Sequence, residues 1–369
     1  MGKATETVLE IDLRALEHNY HYLRGKLDPT TKFLGVVKAF AYGSDSVRVA
    51  HKLVELGIDY FAVAYVKEGV VLRDSGVKTP ILVLHPQQTN FNELIERCLE
   101  PSLYSPRVLV EFLETAKNHG QTDYPVHVKF NTGLNRLGFA ENQINFLAQH
   151  LRGRHEIKVV SIFSHLAASE DKGEADFTKK QIASFEKIAK EVGEKLGYSP
   201  FEHLLNTSGI INYPEAQYAM VRSGIGLYGF GNEEKIDAEL KPIASLKTII
   251  SQIHEVAPNE SVGYNRAFTS TNSRTTATLP LGHADGIGRQ YGNGKAFVSV
   301  KGQKAPIIGN VCMDMIMVDV SEIEINEGDA VVIFGPELPV TSMAKWANTI
   351  PYEILTNISE RVKRVFTSD

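Results

Sequence analysis

The chain has 369 residues, of which 43% are hydrophobic and 22% charged, and a formal net charge of −5. That length exceeds what one hydrophobic core serves and implies two domains. Mild acidity without any Lys/Arg cluster excludes nucleic acid and anionic membrane as principal partners. Cys98 and Cys312 are too few for a disulfide framework and are not at metal-site spacing, which points to a reducing compartment. The opening MGKATETVLEIDLRALEHNY lacks the apolar core of a signal peptide, and no later run approaches membrane-spanning length. Glu6 stands where N-myristoylation requires Ser or Thr, so Gly2 is not an acceptor and the expected location is cytoplasmic.

In chain order, LRALEHNYHYLRGKL has helical periodicity, and short apolar runs then alternate with amphipathic stretches. The runs are FLGVVKA (33–39), YFAVA (60–64), ILVL (81–84), PSLY (101–104), VHVKF (126–130), VVSIFSHL (159–166), EHLLN (202–206) and YAMVR (218–222). Strand and helix alternating eight times predicts an α/β fold, a closed parallel (β/α)8 TIM-like barrel, with an open doubly wound sheet as the alternative. After about residue 235 the texture changes. LKTIISQIHEV, TTATLPLG, KAFVSVKG, KAPIIGNVCMDMIMVDV, DAVVIFG and RVKRVF are strand-like runs between Gly, Pro and Asn turns, with one helix-like piece around TSMAKWAN. The expected domains are therefore a barrel over 9–236 and a mostly β domain over 237–369.

Chemistry in such a barrel collects where the strands end. Lys38 follows the first strand, Lys129 and Asn131 the fifth, His165 the sixth, Asn206 and Thr207 the seventh, and Arg222 the eighth. Singly each has a plain structural reading: a strand-end lysine snorkels, a histidine is hydrogen-bonded in the core, an arginine is ion-paired. Together, five of eight strands ending in cationic or amide groups are poorly explained by packing, because uncompensated buried charge is costly. The loops NTSGI and SGIGLYG, after strands seven and eight, have the place and texture of a barrel phosphate site. Lys38 beside Tyr42 and Gly43 is a candidate imine former, and with that phosphate site it suggests pyridoxal 5′-phosphate.

These residues carry a resemblance. IDLRALEHN, VVKAFAYG, VKFNTGLNRLGF, SHLAASED, LNTSG, VRSGIGLYG, LKTIISQI, VGYNRAF, LGHADG, GNVCMDMIMVDV and YEILTNISERVKRV stand in the order and spacing of a bacterial-type alanine racemase, a fold-type III pyridoxal phosphate enzyme. The chain resembles that family over essentially its whole length. The resemblance implies that residues 1–8 join the C-terminal β domain. It also implies a homodimer whose active sites form between the barrel of one subunit and the β domain of the other. Lys38 would be the Schiff-base lysine and one of two acid–base groups, with Tyr264 from the partner subunit as the second. Arg222 would contact the cofactor's pyridine nitrogen, with His165 and Asn206 supporting it or the ring.

Tyr42, Thr207, Gly224, Ile225 and Tyr352 would bind the phosphate. Arg136 would orient the substrate carboxylate, with Met313 offering its backbone N–H from the partner and Asp314 beside it. Lys129 matches a lysine that relatives often carry as a carbamate, which turns a cation into an anion able to pair with Arg136. Asn131, Thr207, His283 and Asn310 depart from the commonest residues at their positions, and the last two bear on substrate breadth. The implied activity is interconversion of L- and D-alanine for peptidoglycan. The alternatives are a broader alanine/serine racemase, a related decarboxylase, and a pyridoxal phosphate-binding homeostasis protein, which would lack the β domain.

Overall fold

The computed structural model describes residues 6–367. Those residues divide into two compact units, each considered by itself: one takes in the described parts of Met1–Leu16, Tyr42–Asp45 and Pro242–Asp369, the other Glu17–Ala41 and Ser46–Lys241.

The second unit is a closed barrel of eight parallel strands: β2 (Lys32–Val36), β3 (Tyr60–Val63), β4 (Ile81–Val83), β5 (Glu100–Leu103), β6 (Tyr124–Lys129), β7 (Ile157–Phe163), β8 (Phe201–His203) and β9 (Met220–Ser223). β3, β4, β5 and β9 are buried at every residue; β3 and β4 accordingly read as continuous apolar runs, while β5 and β9 bury the polar residues Glu100, Ser102, Arg222 and Ser223. The intervening helices carry ordinary stop and start signals. Ser105 accepts from the Val108 N–H with Pro106 at the first helical position, and the helix Ala175–Leu196 ends at Gly197 with φ 77°.

Most expected strands are shifted by a few residues. The first strand stops at Val36 rather than Ala39, and the seventh is Phe201–His203 rather than 202–206.

The first unit is built on a nine-stranded sheet. Its strands are β1 (Val8–Ile11), β10 (Ala244–Ile249), β11 (Gln252–Val256), β14 (Arg274–Leu279), β15 (Phe297–Val300), β16 (Gln303–Ile308), β17 (Ile316–Asp319), β18 (Ala330–Phe334) and β19 (Lys363–Phe366). β12 (Ser261–Val262) and β13 (Phe268–Thr269) make a separate two-stranded ribbon. β1 sits between β10, antiparallel with Leu9 opposite Leu246, and β19, parallel with Leu9 opposite Arg364. The N-terminal contribution to this unit therefore reaches past residue 8, and the chain crosses into the barrel near Glu17; residues 1–5 lie outside the described residues. At the other crossing the boundary falls at Lys241 rather than 236. TSMAKWAN forms the helix Val340–Trp346, and a second helix, Pro351–Thr356, begins on a proline. Among the described residues no helix is long and apolar enough to cross a membrane.

Candidate active site

Lys38 opens the most unusual backbone in the barrel. Ala39, Phe40, Ala41 and Tyr42 have φ of 52°, 55°, 51° and 53°, a left-handed helical turn closed by Ala41 N–H donating to Val37 O at 3.0 Å. L-residues resist this conformation by about 1–2 kcal/mol each, so four in succession must be held by their surroundings. Glu68 supplies the hold. Its carboxylate accepts from the backbone N–H of Ala39 (2.7 Å), Ala64 (2.7 Å) and Tyr65 (3.1 Å), tying the turn after β2 to the end of β3. In the other unit, the Gly43 carbonyl accepts from Arg364 Nε (3.1 Å) and Nη2 (2.9 Å). Gly43 has φ 82°, and a Cβ there would run into the Leu355 carbonyl.

The barrel mouth is crowded with positive charge. Burial, then Arg136, lowers the half-buried Lys38 ammonium, while Glu68 opposes them. Lys129, 6% exposed at the end of β6, is lowered to about 8 by burial and then by Arg136, Arg222 and Lys38. His165 is pushed well below its usual value by desolvation and by the same cations, Arg222 first, so it is a neutral imidazole. Lys129 Nζ and Arg222 Cζ lie 5.8 Å and 5.5 Å from the centroid of the Phe163 ring. Arg136 rides a loop shaped by Asn131, whose Oδ1 accepts from Gly133 N (3.1 Å) and Asn135 N (3.0 Å).

Arg222, on β9, is 5% exposed. It donates to His203 Nδ1 (2.8 Å), His165 Nδ1 (3.2 Å), and the carbonyls of Ser164 (2.7 Å), Leu204 (2.9 Å) and His203 (3.2 Å). His165 thus does adjoin Arg222. Asn206 instead shapes the backbone after β8. Its Oδ1 accepts from Gly209 N (2.9 Å) as the cap of the helix Thr207–Asn212, and from Ser169 Oγ (2.8 Å). Thr207 Oγ1 lies 3.0 Å from Ser223 Oγ and accepts from Gly226 N at 3.2 Å, joining the loops after β8 and β9. Gly224 and Ile225 fill that second loop, whose carbonyls accept from Leu227 and Tyr228 N–H.

The remaining candidates belong to the sheet unit. Tyr42 and Tyr352 place their rings 6.0 Å apart. Tyr264 follows Gly263, whose φ is 79°, and is 73% exposed; Met313 is 58% exposed. Both line a groove of about 1020 Å³ together with His254, Asp314 and Met317. Asn310, which departs from the usual residue, holds Tyr264 by donating from Nδ2 to its carbonyl at 3.0 Å. The loop of Met313 is pinned to the HADG turn by His283 N→Cys312 O and Ala284 N→Met313 O, both 3.0 Å. Arg361 then clamps Asp285 (2.7 Å and 3.1 Å) and Asp314 (2.6 Å).

Glu68 and Arg361 were not singled out as site residues from the sequence, nor were the interior groups His203, Ser161, His127 and Glu100; Asn310 was marked only as a departure bearing on substrate breadth, not as the group that holds Tyr264. No spacing marks them. They act by holding backbone or other side chains, and only the fold brings those together.

A parallel barrel with a cationic mouth, and with hydroxyls where its last two loops meet, has the architecture of an enzyme that takes an anionic cofactor. Residues 11–231 match the alanine racemase N-terminal domain and residues 243–366 the alanine racemase C-terminal domain, so the chain belongs to the alanine racemase family. It is 36% identical to alanine racemase 2 of Caldanaerobacter subterraneus subsp. tengcongensis, over 98% of this chain and 94% of that one. Among solved structures it matches the alanine racemase of Clostridium difficile 630 with a TM-score of 0.92 at 33% identity, covering 99% and 97% of the two chains. It matches that of Bartonella henselae, which carries covalently bound pyridoxal phosphate, with a TM-score of 0.90 at 28% identity, covering 99% and 100%. The family is pyridoxal phosphate-dependent.

Proposed function

We propose that this chain is an alanine racemase that interconverts L- and D-alanine with pyridoxal 5′-phosphate. What carries the reading is the half-buried amine of Lys38 at the barrel mouth, lowered by burial and Arg136, in a chain that matches the family nearly end to end. The donor set fits the cofactor chemically. A lowered amine suits carbonyl condensation, the hydroxyl of Thr207 and the backbone of Gly224 and Ile225 suit a phosphate, and an arginine suits a ring nitrogen that stays unprotonated. When bound, pyridoxal phosphate supplies an electron-withdrawing ring that acidifies the α-hydrogen of the attached amino acid.

The protein's own part is to move protons. Inverting Cα needs one group on each face, and Lys38 serves one face while the partner's Tyr264 serves the other. Lys38 acts as a base because burial and Arg136 favour its neutral form. Arg136 orients the substrate carboxylate, with Lys129 as a carbamate balancing the surrounding cations, and the partner's Met313 adds a backbone N–H. A homodimer follows from this division of labour, and the exposure of Tyr264 (73%) and Met313 (58%) supports it. The role is cytoplasmic supply of D-alanine for peptidoglycan.

A chiral assay with alanine and serine tests the activity. L-alanine left optically unchanged refutes it, and equal rates on serine replace it with the broader racemase. Subunit mixing tests the dimer. Lys38→Ala and Tyr264→Phe chains, each inactive, should regain activity when co-refolded, because one hybrid site is then complete; no recovery refutes the shared site.

A further inference from the structure

Arg222 is a buried guanidinium with no carboxylate partner among the described residues; its contacts are two imidazoles and three carbonyls. Burial alone drags its pKa down to about 9. Such a cation needs a counter-charge from somewhere. One lies at the far end of a line of polar side chains inside the barrel. His203 Nε2 is 3.0 Å from Ser161 Oγ, Ser161 Oγ is 2.5 Å from His127 Nδ1, and His127 Nε2 is 2.7 Å from Glu100 Oε2, at the start of β5. His127, Ser161 and His203 are 0% exposed and Glu100 is 9%.

Chemistry gives this line one direction. An arginine only donates and a carboxylate only accepts. Arg222 must therefore donate to His203 Nδ1, which leaves the His203 proton on Nε2 facing Ser161. Ser161 then donates to His127 Nδ1, and the His127 proton on Nε2 points at Glu100. An imidazolium at His127 would make Ser161 accept from both rings and seek a third group for its own hydrogen. No third group hydrogen-bonds the Ser161 hydroxyl among the described residues. The rings are also held against turning: Phe163 stacks on His203 at 4.7 Å and 12°, and Tyr60 and Phe201 meet His127 edge-on at 5.9 Å and 6.1 Å.

We propose that Glu100, His127 and Ser161 are positioning residues for Arg222, a one-way hydrogen-bond line that fixes His203 with its Nδ1 lone pair toward the guanidinium and links that cation to its counter-charge. This rests on the reading of Arg222 as the group that meets the cofactor ring nitrogen. Glu100 touches no reacting atom. It acts by keeping Arg222 protonated and aimed.

The test uses cofactor-loaded enzyme with 15N-labelled histidines, in which long-range proton–nitrogen correlations identify the protonated nitrogen of each ring. Near neutral pH, His127 and His203 should both be neutral and protonated at Nε2. A doubly protonated His127, or a proton on Nδ1 of His203, overturns the line whatever the activity, so its failure is separate from failure of the racemase reading. Ser161→Ala and Glu100→Gln should each lower kcat about tenfold with KM for alanine held within about twofold, by analogy with the orienting partners of metal ligands. The double variant should be no slower than the slower single, because both cut the same line. Ser161→Thr, which keeps the hydroxyl, should restore the rate. Losses that multiply, or single variants with kcat close to the parent, overturn the proposal. If a variant fails to fold, the nitrogen signals of the unaltered protein still decide.

Discussion

Lys129 is a buried cation whose charge state should affect stability. The fall of its pKa from 10.5 to about 8 corresponds, at about 1.4 kcal/mol per pH unit, to about 3 kcal/mol. Below pH about 8 both folded and unfolded chains hold the proton, and the folded state bears the whole cost. Between about 8 and 10.5 only the unfolded chain holds it, so stability climbs with pH; above that both are neutral and the cost is gone. Lys129→Met, which keeps the stem and removes the charge, should therefore stabilise the cofactor-free protein at pH 7 by up to about 3 kcal/mol in carbon dioxide-free buffer. Urea unfolding reads this directly. Adding bicarbonate should raise the midpoint of the parent, because a carbamate converts the crowded cation into a partner for Arg136, and should leave Lys129→Met unmoved. A variant no more stable than its parent, with no climb in parent stability above pH 8, would refute the electrostatic reasoning. A parent indifferent to bicarbonate would refute the carbamate.

Gly43→Ala should destabilise the sheet unit by about 2–5 kcal/mol, since it combines an unfavourable φ of 82° with overlap on the Leu355 carbonyl; calorimetry reads the loss, and an unchanged melting curve contradicts it. Glu68→Ala removes the acceptor of three backbone N–H groups and should loosen the left-handed turn. Borohydride trapping of cofactor on Lys38 should then slow, and kcat fall on the order of tenfold to a hundredfold, with Glu68→Gln intermediate. Arg361→Ala frees Asp314 and Asp285 and should raise KM for alanine on the order of tenfold through the Met313 loop, with kcat falling less. A fall in kcat alone would assign Arg361 another role.

What was legible in the chain followed burial. Most barrel strand residues are buried, so several strands appear as apolar runs, and a polar residue near the end of such a run, such as Lys38, Lys129 or Arg222, stands out at once. β1 was not legible from the residues themselves, because its partners β10 and β19 lie more than two hundred residues away and nothing local in VLEI announces a shared strand; only the family resemblance placed the start of the chain with the C-terminal domain. His127, Ser161 and His203 were hidden for a related reason: each is a polar residue inside a short strand, where it looks like an interruption, and only the closed barrel brings the three side chains together.

AFAY is the most instructive failure. Its residues favour an ordinary turn or right-handed helix, and the protein coils them to the left. Such a local conflict is tolerated because Glu68 holds Ala39 from outside the turn, and it falls beside Lys38, the lysine proposed to hold the cofactor. The crowding of Lys38, Lys129, Arg136 and Arg222 around the same mouth is a second conflict of that kind, electrostatic rather than conformational. A sequence in which local preference and global fold agree nearly everywhere concentrates its disagreements where function requires them. The disagreements of this barrel unit meet around one amine.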